Sequence, residues 1–589
     1  MSRRALCGLL ILALLLGMLS GCGAKETASS AEEQEAFGDS ALPENAAIPD
    51  ALADVTVPKR DGTFSLPYNN VYGWDPFACI GMENRAVMQL VYEGLFCMDS
   101  EFEAAPVLCE DYTVSDDGLN YTITLRDATF SSGQILTSED VVYSYTLAVD
   151  SPLYSERYTD VSYMSAVDGR TISLRMRNPS DRILCMLDFP VVPNQSSLGT
   201  YVGTGPFIRS ANALNKNPDW WGGADSISFD TVNLVSSTSA EYTRDCFEID
   251  LVHFVYNNPM AFSAADYHCD FELWNSRSTV LQYLGFNFTY GICQDESIRQ
   301  GILRAIDRAS IAESVYHNYA DPAVLPVSPY STMYDDDLAL DYSYSFSSAL
   351  DILMNSESFY LPDDSPVLTR QNTGAEAPEE GDPEADEAGE GDEDAEEPEE
   401  EDPEYEDEYD LEDAEGEEEP DADGEAEDGE DDSGGIRYNR VTMLVTEGNE
   451  DRLLAAKQVV SYLEAVGFSV DLKIMPYDEF IYTLNNGEWD MYYADYMMTP
   501  DFDLRPLVGY GGSMNYSRIP LDETMERLYL NAMENAGNRY DLYQHILDHA
   551  YICPVLFENN AVYTTRGVFT GLDPTPDNLF YNIQNIELH

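Results

Sequence analysis

Apolar and polar positions alternate over residues 112–125. Tyr112-Thr113-Val114 and Tyr121-Thr122-Ile123-Thr124-Leu125 flank Ser115-Asp116-Asp117-Gly118. An Asp-Gly pair between alternating runs predicts strand, tight turn, strand. Thr137-Ser138-Glu139-Asp140 then predicts a helix N-terminus, with acidic residues in the first turn. Ile298, Ile302, Ala305, Ile306 and Ile311 recur mostly at helical spacing, which predicts a helix within 295–318. The apolar run Val441–Val445, an amphipathic stretch over 451–466 and a second run over 468–475 predict strand, helix, strand, the unit of an α/β lobe.

One apolar run differs in kind. Leu6–Leu19 follows Arg3 and Arg4 and ends in Leu19-Ser20-Gly21-Cys22. It is short of the roughly 20 residues that span a bilayer, so residues 1–21 read as a signal peptide. The last four residues resemble the bacterial lipobox, which implies that Cys22 is acylated and becomes the mature N-terminus. A generic secretory signal, in which Cys22 has no role, is the alternative. Residues 22–58, rich in Ala, Glu, Ser and Pro, read as a flexible tether. The expected location is outside the cytoplasm, at the cell membrane. A single acyl chain anchors only marginally, and the lipoprotein resemblance implies several.

A chain of 589 residues exceeds one hydrophobic core, so two or more lobes are expected. Net charge is −79, and residues 371–432 supply 36 Asp and Glu with no Lys or Arg, leaving −43 for the rest. Such a body argues against nucleic acid or an anionic membrane surface as partner and weakly favours amine-bearing ligands. The low-complexity stretch 371–435 lacks the apolar area to offset its ordering entropy, so it reads as a disordered acidic insertion on a lobe surface. Of ten cysteines, eight lie beyond Cys22, spread without paired spacing. Four disulfides and free buried thiols are both open.

The chain offers little catalytic chemistry. It has no Walker A loop, GxGxxG, HExxH or CxxC. Gly203-Thr204-Gly205 is followed by Pro206 and reads as a tight connection. His545 and His549 share a helix face at i,i+4 spacing, but no third ligand is identifiable, so two ordinary helix histidines are the better reading. Asp421-Ala422-Asp423-Gly424-Glu425 has its Gly too early for a calcium loop. Trp489-Asp490-Met491-Tyr492-Tyr493-Ala494-Asp495-Tyr496 and Pro500-Asp501-Phe502-Asp503 join aromatic rings to carboxylates, a combination that can hold an ammonium group or simply form a core with capped turns.

Several segments occur together in order. These are Trp74-Asp75-Pro76, Tyr92-Glu93-Gly94-Leu95, Ser115-Asp116-Asp117-Gly118-Leu119 with Leu125-Arg126, Leu136-Thr137-Ser138-Glu139-Asp140-Val141-Val142, Gly203-Thr204-Gly205-Pro206-Phe207, Asn217-Pro218-Asp219-Trp220-Trp221, Tyr283-Leu284-Gly285-Phe286-Asn287 and Ala305-Ile306-Asp307-Arg308. Over residues 62–588, apart from the acidic insertion, the chain resembles the extracytoplasmic solute-binding proteins of peptide and nickel ABC importers, the oligopeptide- and dipeptide-binding family 5. The resemblance implies an α/β fold, a two-lobed periplasmic-binding-protein-like clamp of class II type. Lobe I would comprise 59–283 and the C-terminal return 506–589, and lobe II residues 284–505. The lobes would close on an extended peptide by hinge motion.

The resemblance also implies a site. Asp495 matches the family's "ADY" aspartate that holds the peptide α-amine, with Asp501 second, although Thr499 replaces the Asp before the closing Pro. Tyr496, Tyr493 and Trp489 lie beside them, and Ile80-Gly81-Met82 matches the segment that lends main chain to the ligand. Phe130-Ser131-Ser132-Gly133 replaces the family's "FHDG" turn. The reading is a non-enzymatic, monomeric receptor without cofactor or metal, whose partners are an oligopeptide, the subunits of an ABC permease and the membrane through its anchor. A nickel chelate, haem, an opine or an oligosaccharide in the same fold is the alternative. A surface protein that uses its acidic tract to bind cations or cell wall is another.

Overall fold

The alternation over 112–125 becomes the strands Cys109–Val114 and Asn120–Leu125, paired antiparallel with Val114 opposite Tyr121. Gly118 makes the turn at φ +66°, where a side chain would be strained. Thr171–Met176 and Val161–Ala166 complete this four-stranded sheet. The helix Ser138–Val149 starts as expected, with a reciprocal capping box between Thr137 and Asp140. These observations come from a computed structural model that describes residues 62–194, 201–237, 239–257, 267–362, 365–368 and 439–589. The expected signal peptide, lipidated Cys22, tether and acidic insertion lie outside the described residues.

The expected strand–helix–strand unit is Arg440–Thr446, Glu450–Ala465 and Ser469–Met475, with the two strands parallel. The helical pattern over 295–318 divides into Glu296–Ala305 and Arg308–Ser314. The cause is Asp307, whose carboxylate accepts the Ser310 amide at 3.2 Å and caps the second helix. A side chain that bonds the backbone in this way ends one helix and starts another.

The strand–helix–strand unit belongs to a seven-stranded sheet. In spatial order its strands are Phe254–Asn257, Ile552–Thr565, Phe271–Phe286, Met491–Met497, Arg440–Thr446 and Ser469–Met475, with Ala320–Pro322 also pairing Ile552–Thr565. Two long antiparallel strands, Phe271–Phe286 and Ile552–Thr565, connect the two main buried clusters. Leu281–Phe286 and Ile552–Phe557 pack into one cluster, with the helices on that side of the sheet. Val562 packs into the other, which is built from Phe64–Phe254 and closed by Val568–Leu588. The pairing register breaks between Arg277 and Leu281, where the chain passes from one cluster to the other.

Many of the apolar side chains in residues 506–557 are buried in the first cluster. Leu507, Met525, Leu542, Ile546 and Val555 are examples. The helices Glu523–Glu534 and Arg539–Asp548 have an apolar stripe to cover, and that cluster is what they cover. Phe102 also reaches into it and meets Phe502 edge to face at 5.3 Å.

Eight described cysteines are free thiols, and all but the half-buried Cys269 are buried. Gly203 and Gly205 mark a close backbone approach: a Cβ on Gly203 would lie 2.0 Å from the Val91 carbonyl oxygen.

The side chain of Asn439 accepts from the Tyr360 amide and donates to the Tyr360 carbonyl, both at 2.9 Å. The chain on either side of the acidic tract is thus tied together without it. Deleting residues 371–432 is expected to leave the urea unfolding midpoint and solute affinity unlowered. A loss of solute binding in that variant would give the tract a functional role instead.

Candidate functional site

Asp495 lies on the strand Met491–Met497, directly across the ladder from Gln282. Ile552–Thr565 flanks Gln282 on its other side and carries Glu558. Gln282 is fully buried, and its amide organises the site. Its Nε2 donates to the Tyr316 hydroxyl at 2.6 Å and to the Glu558 carboxylate, and its Oε1 accepts the Tyr493 hydroxyl at 2.6 Å. Arg452, in the first turn of Glu450–Ala465, donates through Nη1 to Asp495 Oδ1 and through Nη2 to Thr446 Oγ1. The other carboxylate oxygen of Asp495, Oδ2, has no hydrogen-bond partner among the described residues, and 37% of the side chain is exposed.

The charges around Asp495 do not balance. Burial pushes the Glu558 carboxyl up to about 7; the Gln282 hydrogen bond opposes this, Asp495 adds to it and Arg452 subtracts. Asp451 is also raised, by burial first and then by Glu450, with His317 opposing. Arg452 is therefore bonded to Asp495 and stands near Glu558, with Asp451 also acting on Glu558. An incoming ammonium group would be favoured here and an incoming carboxylate would not.

The same shift predicts a pH effect on stability. Glu558 ionises at about 7 when folded and near 4.5 when unfolded, so the folded state holds the extra proton between those values. Stability from this group is full below pH 4.5 and falls as pH rises through 7, by on the order of 1–3 kcal/mol. Glu93 and Asp577, also raised to about 7, act with the same sign. Glu558→Gln is expected to shallow the decline in urea midpoint between pH 5 and pH 8. An unchanged decline would show that Glu558 is not the group responsible.

Asp501 stands in a different network. Thr499 Oγ1 donates to it at 2.6 Å, and burial, then Asp503, raises its carboxyl. Asp503 is clamped by Arg505 at 2.8–3.1 Å and by the Tyr529 hydroxyl. Arg505 also reaches Asp160 at 2.7 Å. Tyr496 lies near this group: burial first, then Glu156, Asp503 and Asp501, raise its phenol. The structure therefore separates the two carboxylates that share one sequence segment, placing Asp495 with Glu558 and Asp501 with Asp503.

Trp489 and Tyr493 face the core and are fully buried. The Trp489 indole donates to the Leu484 carbonyl at 3.3 Å and meets Tyr492 edge to face at 5.4 Å. Gly81 precedes the helix Met82–Gln89, and a Cβ there would lie 2.5 Å from the Tyr72 ring. Ile80 is 68% exposed. No hydrogen bond or ion pair among the described residues joins Ile80–Met82 to the Asp495 network.

His545 and His549 hold Asp522 at 2.6 Å and Glu296 at 2.7 Å, and no group of three or more His, Cys, Asp or Glu suited to a metal occurs among the described residues. No helix among the described residues is long and apolar enough to cross a membrane.

The model of bacterial extracellular solute-binding proteins, family 5, matches residues 103–516. The chain belongs to this family. Family 5 proteins are extracytoplasmic receptors of ABC importers for peptides and related solutes, a transport family rather than an enzyme family. A curated relative is the glutathione-binding protein GsiB of Escherichia coli K12, 26% identical over 282 residues, covering 43% of this chain and 54% of GsiB. The chain thus spans about half the length of the curated relatives it matches. Among solved structures, the oligopeptide-binding protein AppA of Bacillus subtilis with a nonapeptide aligns with TM-score 0.54 at 16% identity, over 90% of this chain and 99% of AppA. CtaP of Listeria monocytogenes gives 0.64 at 16%, over 90% and 99%. NikZ of Campylobacter jejuni with Ni(L-His) gives 0.57 at 16%, over 90% and 100%. At these identities the structures establish the α/β two-lobed binding-protein fold of this family 5 chain.

Three residues of the Asp495 network were not found from sequence. Gln282 interrupts the apolar run Val280–Phe286, and Glu558 ends the apolar run Ile552–Phe557. A lone polar residue in a buried strand is a signal of a buried network. Arg452 carries no such mark, because helix first turns often hold exposed charges.

Proposed function

We propose that this family 5 protein captures oligopeptides with a free α-amine and delivers them to an ABC permease, as a monomer anchored through a lipid on Cys22. The observation that carries the ligand assignment is Asp495, whose Oδ2 is open while its surroundings hold more carboxylates than cations. The α-ammonium would bond Oδ2 and leave Arg452 on Oδ1. The peptide backbone would lie along Ile80-Gly81-Met82, where main-chain hydrogen bonds tolerate varied sequences.

Exposed apolar side chains support a clamp that closes on its ligand. Val71 precedes the segment Ile80–Met82, Ile80 begins it, and Met497 follows Asp495 on its strand; they are 79%, 68% and 69% exposed. Closure around a ligand would cover such surface. The register break in the paired strands supports a hinge there.

Native mass spectrometry of the mature chain, purified without refolding, tests the reading. Co-purified peptides of narrow length range are expected. A single defined small molecule or metal complex would overturn the peptide assignment within the same fold.

A further inference from the structure

A cavity of about 370 Å³ lies inside the second cluster. Its walls come from the helix Met82–Gln89, the turn at Tyr92–Cys97, Trp220–Trp221 and the C-terminal segment 577–584. No residue between 284 and 557 lines it, so it is separate from the Asp495 network. Its size falls within the range of small-molecule sites, which begins at about 300 Å³.

Three carboxylates converge on this cavity. Glu93 accepts the indole N–H of Trp220 at 2.9 Å and of Trp221 at 2.8 Å. Asp577 accepts the Met98 amide at 2.9 Å. Asp188 is held by Arg157 at 2.5 and 2.7 Å. Arg126 lies over Trp221, 4.4 Å from the ring centre, and Arg85 stands at the exposed rim. Only Asp188 therefore has a guanidinium bonded to its carboxylate. Burial raises Glu93 and Asp577 to about 7, with Asp188 adding to the shift on Asp577. Tyr92, Phe96 and Phe580 line the space near them with aromatic surface.

We propose that this cavity is a second binding site, for a small linear organic amine with two or more ammonium groups joined by methylene spacers. One ammonium would sit by Glu93 and another by Asp577, which compensates half-buried carboxylates that lack a bonded cation. The spacer would cover Phe96 and Phe580, and the aromatic faces favour cations. The inference is independent of the peptide reading, because the two sites share no residue.

Spermidine is the probe, titrated calorimetrically into the mature chain in 150 mM salt, with hydrogen–deuterium exchange run in parallel. One spermidine per chain is expected, with and without saturating peptide. Amide protection is expected over 89–98 and 577–585. Glu93→Gln combined with Asp577→Asn should lower spermidine affinity at least tenfold and leave peptide affinity unchanged. Should that variant fail to fold, the exchange map of the unmodified chain decides independently. Binding that survives in a folded double variant, that peptide displaces, or that protects neither segment would overturn the site.

Discussion

Asp495→Asn is expected to weaken binding of free-amine peptides about 10- to 100-fold and to leave N-acetylated peptides nearly unaffected. The substitution keeps shape and one acceptor but removes the charge. A hydrogen bond to a charged group contributes about 1.5–3 kcal/mol, and each 1.4 kcal/mol is tenfold in affinity. It also leaves Arg452, 15% exposed, without its carboxylate. Some stability loss is therefore expected, and the double variant Asp495→Asn with Arg452→Met separates it from the binding effect. Calorimetric titration of matched free and acetylated peptides is the measurement. Equal weakening of both would remove the amine role from Asp495.

Trp489→Ala is expected to cost about 3–5 kcal/mol of stability, the usual range for emptying an aromatic core position. Trp489 has no exposed surface, and its ring packs on Tyr492, which stands beside Tyr493 on the same strand. Affinity per folded molecule should change little, because the indole touches core and not solvent. Urea unfolding followed by titration of the folded fraction tests both parts. A normal unfolding midpoint with lost binding would put the ring in the site instead.

The Asp495 and Trp489 predictions start from one stretch of sequence, 489–503, yet they point to different roles. The strand–helix–strand over 441–475 was legible because side-chain period and turn residues are local properties. The hairpin at Gly118 and the cap at Thr137 were legible for the same reason. The break at Asp307 was hidden, since a helical apolar pattern ran across it and a capping carboxylate looks like any polar residue.

The sequence alone determined the α/β class, the collinear segments that resemble family 5 and the aspartates worth testing. Each of these is carried by short runs of residues. The tertiary structure decided which carboxylate stands in which network. Asp495, Gln282, Glu558 and Arg452 come together only because three strands and a helix from distant parts of the chain lie side by side. It also decided that residues 506–557 pack with the first cluster, since an amphipathic helix specifies an apolar face but not the surface that covers it. The same limit applies to the cavity at Glu93 and Asp577: 484 positions of sequence separate these two residues, and only folding brings them to one space.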